Sequence, residues 1–290
     1  MYNGFFYQGI TPSLPDAIEK LPRLIIIDGF NIMHHFKTLD YRNSVLCDDS
    51  MCPIILIPLL LKWAQEGFSV RVVLRNMPDE NKITHSYILH ELERMGLLLY
   101  GLTDDIEADD LLMLKLAKKY GALIITRDQF RNHKGCEKVA EEYTVEYEQV
   151  RTNVTVEMLK KCLYYNSKVA IHDSKDRFYA NQDDKDYELV KEAATKYPLC
   201  SPTIIHVLSL LQLYIYNSIR FMYNLGISKQ VIFLQLNDKF PMEWGHFLQR
   251  YYDWQLIEDK KEKAKSRNEV IEEKREYIID PEDCYLKDDE

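Results

Sequence analysis

A chain of 290 residues, 46% hydrophobic and 29% charged, can bury a sizeable core as one large domain or as a domain plus an extension. Its net charge of −9 argues against a protein that coats nucleic acid nonspecifically. Six scattered cysteines (Cys47, Cys52, Cys136, Cys162, Cys200 and Cys284) form no CxxC pair and no zinc-ligand spacing, which fits reduced thiols inside a cell.

"MYNGFFYQGITPSLPD" shows no signal-peptide pattern, and the longest apolar run, "PIILIPLLL", is broken by Pro58 and too short for a bilayer. No membrane association is expected. The charge is uneven. Residues 20–135 carry 15 Lys+Arg against 15 Asp+Glu, a balance of zero, so the acid excess lies further along, chiefly towards the C-terminus. A neutral region that gathers acids at one site must carry basic side chains elsewhere on its surface.

In chain order, "RLIIIDGFN" is a β-branched run ending in Asp-Gly, a buried parallel-type strand feeding a loop. "CPIILIPLLLKWAQEG" predicts a helix closed by Gly67, and "FSVRVVLRN" alternates like a strand. "ITHSYILHELERMG" has helical spacing ended by Gly96, and "LLLYGL" is a short strand. "EADDLLMLKLAKKYG" is helical up to Gly121, and "ALIITRD" is the next strand. Strands alternating with helices at this spacing predict an α/β fold with an open parallel sheet.

From Asn132 to about Asp186 the pattern weakens. "EEYTVEYEQV" and "VEMLKKCLYYNSKVAIH" have room for a helix and a strand, and "DSKDRFYANQDDKD" reads as polar loop. Ser201 and Pro202 then open a long helix running to Gly226. A second helix, "SKQVIFLQLN", and a charged helical stretch containing Trp244 and Trp254 follow. The expected organisation is an N-terminal arm (1–21), an α/β domain (22–188), a helical extension (189–278) and an acidic tail (279–290).

Functional groups of an open parallel sheet gather at the carboxyl ends of its strands. Asp28 ends the first strand, Asp109 and Asp110 open the helix after the third, and Asp128 ends the fourth. Taken singly, these read as helix-start or turn residues. Together they crowd carboxylates at one edge, which raises pKa values unless a cation neutralises them. Hard oxygen donors of this kind suit Mg²⁺ or Mn²⁺ and phosphoryl chemistry. Glu107 and Asp105 are nearby reserves that read first as solvated charges, and His34 and His35 read as packed or surface histidines.

"IIIDGFNI" followed by "ADDLLMLKLAKKYGALIITRDQFRN" resembles the NYN branch of the PIN-like nucleases, most closely the Regnase-type endoribonucleases. By that resemblance Asp28, Asp109, Asp110 and Asp128 fall on the family's catalytic acids, Asn31 on its asparagine and Thr126 on its Ser/Thr. "KDRFYANQDD" looks like the segment closing the nuclease domain. The family often has a further aspartate where this chain has Asn132. No CCCH zinc finger is present in this sequence, so RNA targeting is expected to come from elsewhere.

The resemblance implies metal-dependent cleavage of single-stranded RNA with Mg²⁺ or Mn²⁺, leaving 5′-phosphate and 3′-hydroxyl ends. Asp28, Asp128 and one of the Asp109/Asp110 pair would hold the metal, and the other a water. Arg75, Lys82, Arg127, Arg131 and Lys134 are the expected RNA contacts. Relatives acting in transcript cleavage make mRNA turnover or small-RNA-directed silencing the expected setting. That implies a cytoplasmic location, with RNA granules as one candidate site. A protein partner or dimer would use the nuclease domain or the 200–278 helices. The alternative is a catalytically weak or inactive scaffold that binds RNA or an active paralogue. A phosphatase or nucleotide-binding protein fits worst, because no Gly-rich phosphate loop follows a strand.

Overall fold

The computed structural model describes residues 20–40, 51–79, 82–101, 105, 107–149, 169–171 and 173–224. All of them belong to the first of two compact units, Met1–Leu236 and Asn237–Glu290. The helix expected at 228–237, the charged stretch with Trp244 and Trp254, the acidic tail and most of the N-terminal arm lie outside the described residues.

The elements are, in order, β1 (Lys20–Pro22), β2 (Ile25–Asp28), α1 (Gly29–Asp40), a 3-10 turn (Pro53–Ile55), α2 (Leu56–Gln65), β3 (Val70–Leu74), α3 (Tyr87–Arg94), β4 (Leu98–Tyr100) and α4 (Ala108–Tyr120). They continue with β5 (Leu123–Ile125), α5 (Glu137–Tyr143), β6 (Thr144–Val145), β7 (Tyr147–Gln149), β8 (Val169–Ile171), a second 3-10 turn (Lys175–Phe178), β9 (Tyr179–Asn181), α6 (Tyr187–Lys196) and α7 (Pro202–Asn224).

Five strands form the parallel sheet in the order β4-β3-β2-β5-β6. The chain lays β3 and β4 on one side of β2, then crosses back through α4 to place β5 on the other. The topological switch point therefore falls between β2 and β5, where an open sheet leaves a crevice. The register pairs Ile27 with Ile125, so Asp28 and Thr126 are the next positions on neighbouring strands.

The sheet core is made by Ile25, Ile26 and Ile27 with Leu123, Ile124 and Ile125, all buried. The strand expected in "FSVRVVLRN" forms β3, which is buried at every position. Arg71 satisfies its guanidinium by donating to the Val70 carbonyl at 2.7 Å and the Pro198 carbonyl at 3.3 Å. The loop expected after Asp28 is instead the first turn of α1. A Cβ on Gly29 would stand 2.6 Å from Leu74 Cδ2 and 2.7 Å from Val72 Cγ1, so only glycine lets the helix start against β3.

"DSKDRFYANQDDKD" is likewise not a plain polar loop. It holds the second 3-10 turn and β9, which pairs antiparallel with β1. Phe178 is buried against Trp63, ring centroids 4.9 Å apart, and this anchor is diluted among polar letters in the sequence. Next to it, the buried Arg23 guanidinium donates to Asp186 Oδ2 and to the Gly121 carbonyl, both at 2.9 Å. The Tyr143 hydroxyl donates to the other Asp186 oxygen at 2.9 Å.

Helix α6 packs on α4 and β1. Helix α7 is capped by Ser201, whose Oγ accepts from Ile204 N at 3.2 Å, and packs on α2. It buries Val207, Leu208, Leu211 and Ile215 while Leu213 stays exposed. No helix among the described residues is long and apolar enough to cross a membrane.

Removing one partner of a buried ion pair leaves the other charge uncompensated. Asp186→Ala is expected to lower unfolding free energy by about 3–5 kcal/mol, read from the urea midpoint at constant m-value.

Candidate active site

Asp28 ends β2 inside the switch-point crevice and is 5% exposed. Thr126, the residue just past β5, donates its hydroxyl to Asp28 Oδ2 at 2.6 Å. The backbone N–H of Asn31, in the first turn of α1, donates to Oδ1 at 3.0 Å. Both carboxylate oxygens are thus held by neutral donors.

Asn31 is fixed in turn. Its Oδ1 accepts from the Tyr147 hydroxyl at 2.8 Å and from the Arg127 backbone N–H at 3.3 Å. Tyr147 also lies 2.5 Å from His35 Nδ1. Since the tyrosine hydrogen goes to Asn31, His35 must donate from Nδ1. Burial first, then nearby Arg127 and His34, hold the His35 pKa below its usual value. His35 therefore serves as a neutral support for the α1 end of the site.

Asp109 and Asp110 open α4 and are half-buried. The two differ, as neighbouring helix positions must. Asp110 Oδ2 accepts a hydrogen bond from His133 Nε2 at 3.2 Å. Asp128 is exposed, its backbone N–H donating to Thr126 Oγ1 at 3.0 Å and its Oδ1 accepting from Phe130 N at 2.9 Å. Thr126 therefore joins Asp28 and the Asp128 backbone through one hydroxyl.

The carboxylates feel one another. Burial dominates in raising Asp28 to about 7 against the lowering pull of Thr126 and Asn31, and repulsion from Asp110 and Asp109 adds to it. Asp110 is raised by burial and by Asp109 and Asp128, with the His133 hydrogen bond opposing. The structure thus brings Asp28, Asp109, Asp110 and Asp128 into one electrostatic site, with Asn31 and Thr126 as supports.

The donor set is hard oxygen, and its acids do not all ionise readily together at neutral pH, the condition a divalent cation relieves. Among the described residues no three His, Cys, Asp or Glu side chains gather closely enough to hold an ion unaided. The fit is to a cation that keeps much of its own water, as Mg²⁺ does.

Of the expected basic contacts, Arg127 is exposed and fixed by its backbone beside Asn31. Arg131 and Lys134 are exposed on the same loop. Arg75, just past β3, lies with its guanidinium 6.0 Å from the Phe30 ring centroid. Lys82 is exposed on the loop after β3. Sequence reasoning missed His133 and Tyr147. One sits in a polar loop and the other in a stretch of weak pattern, and only the register of β6 and β7 brings Tyr147 over α1.

A five-stranded parallel sheet flanked by helices, with acids near its switch point, is consistent with a PIN-like NYN fold. Residues 21–158 match the family described as the Zc3h12a-like Ribonuclease NYN domain, which supports an NYN domain of the Regnase type in this part of the chain. No curated protein matches the chain.

Asp28 carries a folded pKa above the 3.8 of an ordinary aspartate, so the folded state keeps its proton where the unfolded state has lost it. Stability of the metal-free protein should then fall as pH rises from 3.8 to about 7. The drop is on the order of a few kcal/mol. Asp28→Asn is expected to remove this component and to unfold at higher urea than wild type at pH 8.

Proposed function

We propose that this chain is a metal-dependent endoribonuclease cutting single-stranded RNA, in mRNA turnover or small-RNA-directed silencing. The observation that carries the reading is a buried Asp28, raised to about 7 beside Asp109 and Asp110, at the switch point of a ribonuclease-family domain.

Asp28, Asp128 and one of Asp109 and Asp110 would hold Mg²⁺ or Mn²⁺, and the remaining acid would hold the attacking water. The ion would supply the charge that lets these acids ionise together, make water a better nucleophile and stabilise the leaving oxygen. Thr126 and Asn31 keep Asp28 from rotating. Arg75, Lys82, Arg127, Arg131 and Lys134 would carry the RNA phosphates across the crevice. Water attack at phosphorus with departure of the 3′ oxygen leaves a 5′-phosphate and a 3′-hydroxyl. The reading places the protein in the cytoplasm, RNA granules included. A protein partner or second copy would meet the nuclease domain or the 200–278 helices.

One observation favours the second reading, a scaffold that binds RNA or an active paralogue: no three metal-binding side chains among the described residues form a closed set. Purified full-length chain, a labelled single-stranded RNA and Mn²⁺ or Mg²⁺ separate the two. Cleavage should appear with metal and fall at least about 100-fold in Asp109→Asn, more than is usual for a residue outside the ligand set. RNA binding without cleavage under either metal supports the scaffold.

The triple variant Arg127→Ala, Arg131→Ala, Lys134→Ala should raise KM more than it lowers kcat. It should also flatten the salt dependence of RNA binding by about 2 in log–log slope, as three lost phosphate contacts on a single strand require.

A further inference from the structure

We infer that His133 is a positioning residue of this site, holding the Asp110 carboxylate in place from the loop between β5 and α5. The inference rests on the nuclease reading and adds a residue to it. His133 is 7% exposed, although its neighbours Arg131, Asn132 and Lys134 are all exposed. A polar loop has no need to bury an imidazole, so the burial requires a partner.

The partner is at the start of α4. Nε2 of the imidazole lies 3.2 Å from Asp110 Oδ2, and whenever that carboxylate is ionised it can only accept, so Nε2–H is then the donor. Glu107 Oε2 lies 3.9 Å from Nδ1 on the other side of the ring. The imidazole is therefore bracketed by two acids of one helix start, which sets its orientation. With Oδ2 committed to His133, the second Asp110 oxygen is the one left for the acidic centre.

The loop is bent to achieve this. Phe130 is buried in the left-handed region at φ 50°, a conformation side chains with a Cβ rarely adopt. The Asp128 carboxylate holds that bend through Phe130 N at 2.9 Å, and His133 N closes it on the Phe130 carbonyl at 3.1 Å. Asp128 thus shapes the turn that swings His133 onto Asp110. Asn132, where the resemblance expects a further aspartate, faces solvent, and the loop reaches the acids through its next residue instead.

The test compares full-length wild type, His133→Ala, His133→Gln and Asp110→Asn. His133→Ala should lower kcat about 10–100-fold with KM for RNA nearly unchanged. His133→Gln, which keeps an N–H donor at similar reach, should recover most of the loss. Imidazole ¹⁵N shifts of His133 in the wild type should show a protonated Nε2 and should move in Asp110→Asn. Wild-type kcat in His133→Ala, no recovery in His133→Gln, or unmoved shifts in Asp110→Asn would each overturn the inference. A wild type that cuts no RNA defeats the nuclease reading instead, and the nitrogen shifts alone then decide the contact.

Discussion

The hydrogen bond from the Thr126 hydroxyl to Asp28, 2.6 Å long, holds the site together. It exists because β2 and β5 are parallel neighbours in the register Ile27 to Ile125, which sets Asp28, the last residue of β2, beside Thr126, the first past β5. The same hydroxyl accepts from the Asp128 backbone, so one side chain links the acid of β2 to the loop after β5. That loop carries Arg127 to Asn31 and His133 to Asp110. A shift of one residue between β2 and β5 would separate all of them.

The site is built against its own stability. Burial keeps Asp28 from ionising freely, and the acids opening α4 oppose it further. Among the described residues, neutral donors answer this at Asp28 and His133 at Asp110. A large apolar core pays for such an arrangement, and the chain has one: β2, β3 and β5 are buried at every position, and α2 packs against α7. The Arg23–Asp186–Tyr143 network ties strand, loop and α6 together near the amino ends of the strands, away from the acids.

Much of this was legible in the sequence, and the reasons differ by element. β-branched runs such as "LIII" and "ALIIT" mark fully buried parallel strands, and Gly121 at φ 59° does cap its helix. Asp28, Asp109, Asp110 and Asp128 could be placed at one edge because each lies at or near the carboxyl end of such a strand or opens the helix that follows one. What could not be read depends on contacts distant in sequence. β1 meets β9 across 157 to 161 positions of chain, from Lys20↔Asn181 inward, and no local pattern encodes that partner. Arg71 alternates like a surface residue but is covered by the segment after α6. His133 and Tyr147 carry no periodic signal, since each is placed by a turn or by register.

The central proposal is that a divalent cation completes these acids. The most direct measurement is the carboxyl ¹³C titration of Asp28, first without divalent metal and then with millimolar Mg²⁺. The account predicts a midpoint near 7 without metal and a marked fall when Mg²⁺ is added. An Asp28 that titrates as an ordinary aspartate in both conditions, or one that stays near 7 whatever the Mg²⁺, would contradict it.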